Sequence, residues 1–431
     1  MNKNTSAAVA FTEALRVWFK IGCIGFGGPA GQIALMHRIL VDEKKWIEES
    51  RFLHALNFCV LLPGPEAQKL ATYAGWLLHG VRGGLAAGIL FVLPGALVML
   101  ALSVLYAMGR GIPAVEGALF GIKAAVLVIV VEALLRIGRR ALKTRLLAGV
   151  AAAAFVGIFF LDLPFPLIVL AAGLFGFLTT RAPDGAAVAP MPGRWRQFVV
   201  ASMVGLVLWW APVVLAVLLL GASAVFVDIG LFFSKLAVVS FGGAYALLAY
   251  MAQQAVDTYH WMSAPEMVDG LGLAETTPGP LILVTQFVGF LAAYRDAGPL
   301  SPLAAGVLGA ALTTWVTFVP PMTFIFAGAP FVEQLRANQR LSGALAAITA
   351  AVVGVILNLT VWFALHVLFG VVQEARAGPL RWYAFDPLAL DLKVAVLALL
   401  AAALAFGLKR GLLELVLVMA ALGIAVRFLF G

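Results

Sequence analysis

The sequence predicts an all-α, polytopic integral membrane protein with about 13 transmembrane segments, and three observations predict it. Of its 431 residues 63% are hydrophobic and only 12% charged, with a mean hydropathy of +1.03; a soluble domain is near half apolar and a quarter charged. Runs such as Leu85 to Met108, Phe198 to Leu220 and Leu392 to Leu408 carry few or no charges over about 17 to 24 residues, the length that spans a hydrocarbon core of ~30 Å as a helix. Finally, the chain matches itself at a fixed shift, with Gly/Pro-broken segments at corresponding places.

Taken in order, apolar stretches are centred near residues 22, 66, 97, 126, 153, 172, 209, 239, 281, 316, 356, 400 and 421. The N-terminal stretch is interrupted by Glu13, Arg16 and Lys20, so it is expected to stay in the protein rather than to be cleaved as a signal. Cys23 and Cys59 are the only cysteines and lie among apolar residues, which predicts neither a disulfide framework nor a zinc site. The net charge of +8 is not carried by basic runs interleaved with aromatics. It is assigned to cytoplasmic loops, and nucleic acid is excluded as a partner.

Slid along itself in a single ungapped register, the chain places Lys20 on Lys235, Phe26-Gly27-Gly28 on Phe241-Gly242-Gly243, Trp46 on Trp261 and Pro63-Gly64-Pro65 on Pro278-Gly279-Pro280, with 13 identities in the 46 positions from Lys20 to Pro65. The expected domains are a first repeat at 1–180, a linker with an extra helix at 181–222, and a second repeat at 223–431, each repeat with about six segments. Arg181 to Arg196, rich in Pro, Gly and Ala, supplies the linker, and Gln373 to Asp391 is a second polar interruption. Seven segments separate the two repeat starts, and an odd number inverts the second half. The basic cluster Arg136, Arg139, Arg140, Lys143 and Arg145 then lies in the cytoplasm.

Inverted repeats with broken segments point to a secondary transporter whose site lies near the midplane. Pro63 and Pro65 cannot continue a helix, so the stretch Ser50 to Gly80 is expected to divide, with its second half-helix starting near Glu66. Gly27-Gly28 and Gly242-Gly243 allow positive φ and expose amides. Such positive ends attract an anion.

Lys20, Lys235, Lys69 and Lys123 fall in apolar zones, where an ammonium costs roughly 3 kcal/mol even on a lenient scale; Lys20 and Lys235 are the preferred anion ligands. Among acids, Glu66 either caps its half-helix or couples protons. Glu275, with Thr276 and Thr277, carries a proton or pairs with a lysine, and Glu132 is a third candidate. Gln68, Gln286 and Asn358 offer neutral hydrogen bonds, and His54 and His79 lie near an interface or line the cavity. HExxH, GxSxG and the Walker A loop are missing from the sequence, which predicts a carrier or channel with no cofactor and no metal rather than an enzyme.

The stretches Phe26 to His37, Leu61 to Gly80, Phe241 to Val256 and Asp269 to Phe290 resemble the chromate ion transporter family in its long two-domain form. The resemblance covers both halves. It implies a multi-pass carrier of the cell inner membrane that extrudes chromate and confers resistance, driven by membrane potential or proton motive force. Its implied substrates are chromate and, as a related oxyanion, sulfate; the apolar composition adds the lipid bilayer as a partner, and a homodimer is a candidate assembly that the sequence does not decide. The family's signature regions fall on Phe26, Gly27, Gly28 and Pro29 with Pro63, Gly64, Pro65 and Glu66, and on Phe241, Gly242 and Gly243 with Pro278, Gly279 and Pro280. The halves differ: Ala244 stands opposite Pro29 and Leu281 opposite Glu66. A sulfate carrier and an anion channel are the alternatives.

Overall fold

The structure is a computed structural model that describes residues 9–109, 111–180, 195–221, 224–241, 244–331, 338–369 and 372–430. Gly242 and Gly243, and most of the expected linker, lie outside the described residues.

The helices run in chain order as α1 (Phe11–Ile24), α2 (Gly28–His37), α3 (Glu49–Leu61), α4 (Glu66–Met108), α5 (Pro113–Ala141), α6 (Arg145–Phe159), α7 (Phe165–Thr179) and α8 (Trp195–Leu220). They continue as α9 (Val225–Val239), α10 (Ala244–Gln253), α11 (Ala264–Thr276), α12 (Val284–Arg295), α13 (Pro302–Gly328), α14 (Gln339–Leu368), α15 (Leu392–Ala402) and α16 (Leu412–Phe430). Among the described residues six helices are long and apolar enough to cross a membrane: α4, α5, α8, α13, α14 and α16. Shorter apolar helices include α6, α7 and α15. Full-length spans are fewer than the apolar stretches because glycine and proline cut several stretches into pieces. Thus α3 ends at Leu61 and α4 begins at Glu66, across Pro63-Gly64-Pro65. His79 and Gly80 leave helical geometry inside α4, so α4 is two helices joined at a bend.

The same local devices recur at matching places in the two repeats. A π-helical turn follows α2 at Arg38–Glu43 and follows α10 at Gln254–Thr258. Lys45 and His260 both have φ of 52°, and the next residue closes the turn: Trp46 N–H donates to Leu40 O at 2.8 Å and Trp261 N–H to Ala255 O at 2.9 Å. Gly64 and Gly279 both take positive φ, 109° and 91°.

The described chain forms two compact units, each drawn from both sequence halves. Unit 1 comprises Met1–Ala101, Pro183–Ser240 and Thr277–Asn338. In it α13 packs on α8, α9 and α12, and the bend of α4 lets Gly75 approach Gly83, so close that a side chain on either would strike the other's backbone. Unit 2 comprises Leu102–Ala182, Phe241–Thr276 and Gln339–Gly431. There α14 packs against α5, α6 and α7, while α15 and α16 lie on α5. Small residues make these approaches possible: Gly354 of α14 faces the Ala151 carbonyl of α6, and Gly423 of α16 faces Gly117 and Gly121 of α5. This is how apolar helices associate where no hydrophobic effect drives them.

The polar interruption at Gln373 to Asp391 contains an element not expected from the sequence. β1 (Val372–Ala377) and β2 (Leu380–Phe385) pair antiparallel, with Ala377 opposite Leu380. Gly378, at φ 59°, supplies the positive φ that a two-residue hairpin turn needs. Arg381 ties the hairpin to the end of α6: its Nη1 donates to Asp162 Oδ1 at 2.6 Å, its Nη2 to Ile158 O at 2.6 Å and its Nε to Phe159 O at 3.3 Å. Arg376 Nη2 adds a second bond to Asp162, at 2.7 Å.

Asp257, in the second π turn and outside the spans, joins this polar cluster. Loss of hydration first, then the Glu374 carboxylate, raise its carboxyl from 3.8 to about 6, against the lowering pull of Arg381. A carboxyl raised on folding contributes stability that is fully present below its unfolded value and lost as pH rises through the folded one. The apparent Tm of the purified chain is therefore expected to fall as pH goes from about 4 to about 7. Asp257→Asn should flatten that slope, which differential scanning fluorimetry across this range checks.

Candidate functional site

Within unit 1 the two Pro-Gly-Pro breaks are fastened by the same hydrogen bond made twice. Gly279 N–H donates to Gly25 O at 2.9 Å, and Gly64 N–H donates to Ser240 O at 2.9 Å. Gly25 and Ser240 occupy equivalent positions of the two repeats, as do Gly64 and Gly279. Each break is thus joined to the residue just before the Phe-Gly-Gly position of the other half. Gln32 of α2 strengthens one of these braces: its Nε2 donates to Gly25 O at 3.1 Å and also to Gly279 O.

The surroundings leave no room for a side chain at Gly64 and are tight at Gly279, and both take positive φ. A Cβ on Gly64 would lie 2.5 Å from Pro321 Cγ, and one on Gly279 would lie 3.3 Å from Leu283 Cδ1. At the start of α2 the situation is open. Gly27, at φ 90°, precedes Gly28, at φ 68°, with Pro29 next in the first turn and no atom within 4 Å of a Cβ built on Gly28. The first amides of a helix have no intrahelical partner, and space is open on the Cβ side of Gly28. Glu66 opens α4 and is half-buried, where a carboxylate complements the positive helix end.

Two further glutamine bonds cross unit 1. Gln68 Nε2 donates to Phe318 O at 3.2 Å and Gln286 Nε2 to Ala96 O at 2.9 Å. Each therefore links a helix that follows one Pro-Gly-Pro break to a long helix of the other half.

The lysines divide. Lys69 is 1% exposed, and its Nζ donates to Leu62 O at the first break. Lys20 and Lys235 are both exposed, where their apolar surroundings in the sequence suggest burial. Helical phase is the cause: α1 turns Ala14, Val17, Trp18 and Ile21 inward, one stripe of a 3.6-residue period, and Lys20 falls on another face. In α9 Lys235 stands between buried Ser234 and Leu236 and likewise points away. Phe26 and Phe241 are half-buried, as are Pro63 and Pro65. Thr277, Pro278 and Pro280 are buried in unit 1, and Glu275 in unit 2.

Among the other candidates, Glu132 is paired with Arg136 one helical turn on, at 2.7 Å, an ordinary helix-surface pair. His79 Nε2 bonds Val9 O at 2.7 Å. Lys123 pairs in unit 2 with Asp269 of α11 at 3.2 Å; Asp269 is not among the residues that the sequence singles out.

A family model described as Chromate transporter matches residues 12–177 and again residues 227–426. The chain belongs to the chromate transporter family. Relatives agree: a chromate transport protein of Pseudomonas aeruginosa is 33% identical over 81% of this chain and 80% of its own length. A chromate transport protein of Cupriavidus metallidurans is 25% identical over 82% of each. An uncharacterized transporter of Bacillus subtilis is 29% identical over 126 residues, 71% of its own length but 29% of this chain. No solved structure matches the chain. The chromate transporter family consists of multi-pass membrane transporters rather than enzymes, in keeping with the long two-domain form that the motifs suggest.

Proposed function

We propose that this chain is a secondary carrier that exports chromate from the cytoplasm across the inner membrane and so confers chromate resistance. The observation that carries the reading is the double match to the chromate transporter family, at 12–177 and 227–426, together with relatives named for chromate transport that align over about four-fifths of both chains. The proposed domains are the repeats 1–180 and 223–431, inverted relative to each other, with 181–222 between them. The recurrence of π turn, positive-φ residue and Pro-Gly-Pro break at equivalent positions supports that division.

Chromate is a tetrahedral dianion. The amides at Gly27-Gly28, the half-helix starts after Pro65 and Pro280, and Lys69 are the groups that replace its hydration. Energy is available without a nucleotide: each net negative charge moved outward through 100 mV, inside negative, releases ~2.3 kcal/mol. Phe26, Glu66, Thr277 and the two Pro-Gly-Pro segments, all of unit 1, complete the proposed site.

Everted membrane vesicles containing the chain should accumulate labelled chromate when a potential is imposed, saturably and with weak inhibition by excess sulfate. Sulfate flux without chromate flux would overturn the substrate, and flux that never saturates would replace the carrier with a channel.

A further inference from the structure

Unit 2 contains a charge cluster of its own. Lys123 Nζ of α5 lies 3.2 Å from Asp269 Oδ1 of α11, and Tyr106 OH, from the end of α4, donates to Asp269 Oδ2 at 2.9 Å. Asp269 is almost enclosed, its side chain 7% exposed, whereas Lys123 keeps 26%. The ammonium therefore has one side held by the carboxylate and another side open. Lys123 stands about 15 Å along α5 from Pro113 at 1.5 Å per residue, close to mid-depth of a ~30 Å hydrocarbon layer. Its neighbours Ile122, Ala124, Ala125, Val126 and Leu127 are all buried and apolar.

An ion pair in such a place is not retained for stability, since apolar residues of similar volume serve as well or better. Intramembrane ionisable groups mark ion pathways and proton relays. The pair also exists once per chain, because the first repeat carries His54 at the position equivalent to Asp269. Asp269 rides on the same 13-residue helix that ends at Thr276, immediately before the second break.

We propose that Lys123 and Asp269 form the proton-linked charge site of transport, in which the Asp269 carboxylate and the anionic substrate compete for the Lys123 ammonium. With Asp269 ionised, the ammonium is occupied. When a proton from water binds Asp269, Tyr106 keeps its contact with the neutral acid and Lys123 is released to a dianion; loss of that proton to the other side restores the pair and expels the anion. The assignment rests on the transport reading above. The charged groups on the packed elements include Lys393 of α15 and, on α5, Glu132 and Arg136, paired with each other. Glu116 of α5 binds Arg427 of α16 at 2.9 Å, and Glu414 binds Arg410 at 3.1 Å. In α14, Arg340 lies over the Phe177 ring and His366 bonds Trp362 O. On α11 itself Glu266 accepts from Ser263 N–H at 2.8 Å, and Glu275 lies beyond a further turn.

The test uses the full chain in proteoliposomes. Wild-type chromate flux should rise at least fivefold as the loading-side pH falls from 8 to 6. Asp269→Asn should transport with that pH dependence abolished, and Lys123→Gln should raise KM about tenfold or more. The double variant, with no charge left unpaired, should insert and unfold like wild type yet transport no better than Lys123→Gln. An Asp269→Asn variant that keeps the wild-type pH profile, or a double variant with full flux, overturns the proposal. If wild type moves no chromate at all, the substrate reading fails, and carbodiimide modification of Asp269, mapped by mass spectrometry, decides the charge site independently. Labelling that increases as pH falls, and increases further in Lys123→Gln, upholds it; no label at Asp269 down to pH 5 overturns it.

Discussion

Arg381→Ala should lower the apparent Tm of the purified protein by roughly 10 °C. Arg381 is 2% exposed, and all three of its guanidinium nitrogens donate: to Asp162 and to the Ile158 and Phe159 carbonyls. Those carbonyls belong to the last turn of α6, where no further helical amide satisfies them and where a cation is favoured by the helix dipole. Removing one partner of a buried pair costs about 3–5 kcal/mol. Asp162 keeps Arg376 at 2.7 Å and is itself 30% exposed, so the lower end applies, about 3 kcal/mol. At ~2–4 °C per kcal/mol for a cooperative body the size of unit 2, which holds the hairpin, that gives the stated shift. Arg381→Lys should recover only part of it, because one ammonium cannot reproduce a planar fork. A Tm within 2 °C of wild type in the alanine variant would mean the hairpin is held by other contacts.

Gly64→Ala should be worse for transport than any other single methyl added at a positive-φ glycine. The residue has φ of 109°, outside the region that alanine tolerates, at a cost of order 1–3 kcal/mol. Its new methyl would stand 2.5 Å from Pro321 Cγ and 2.7 Å from Pro321 Cβ, and relieving that overlap costs typically about another 1–3 kcal/mol. Relief can come only by moving the break away from α13, which strains the Gly64 bond to Ser240 O. Gly80→Ala is the control for backbone strain without a clash: φ is 61° and ψ −151° there, a region essentially reserved for glycine, and nothing lies within 4 Å of the added carbon, so a cost of order 1–3 kcal/mol from the backbone alone is expected. Chromate flux and Tm measured on both variants separate backbone strain from the clash. Equal losses would show that Pro321 gives way.

The helix breaks were legible because proline and glycine act through the backbone at their own positions, and α4 does begin at Glu66. The bonds that fasten those breaks were not, since a backbone amide meeting a distant carbonyl leaves no side-chain signature; only Gln32, reaching across to Gly279, hinted at them. Repetition alone pointed to Lys20 and Lys235. Helical phase shows only that Lys20 is not buried, because Trp18 and Ile21 define the inward stripe of α1 and Lys20 lies off it. The hairpin was not readable, because Leu380-Arg381-Trp382-Tyr383-Ala384-Phe385 does not alternate apolar with polar, and so short a run inside a polar interruption looks like loop. Asp269 was passed over because its partner, Lys123, belongs to the other repeat, a separation that no local pattern spans.

The cross-half packing has a consequence for how the chain is made. Helices α6 and α7 find their principal neighbour in α14, and α5 finds its neighbours in α15 and α16, so the ribosome delivers each partner long after the helix that awaits it. At ~5–20 residues per second, the early helices remain in the bilayer for roughly ten seconds or longer with their glycine faces uncovered. A chain released after residue 180 would have inserted helices and no completed unit. Separately synthesised halves should therefore be degraded when made alone and should accumulate when made together, each acting as the other's assembly chaperone.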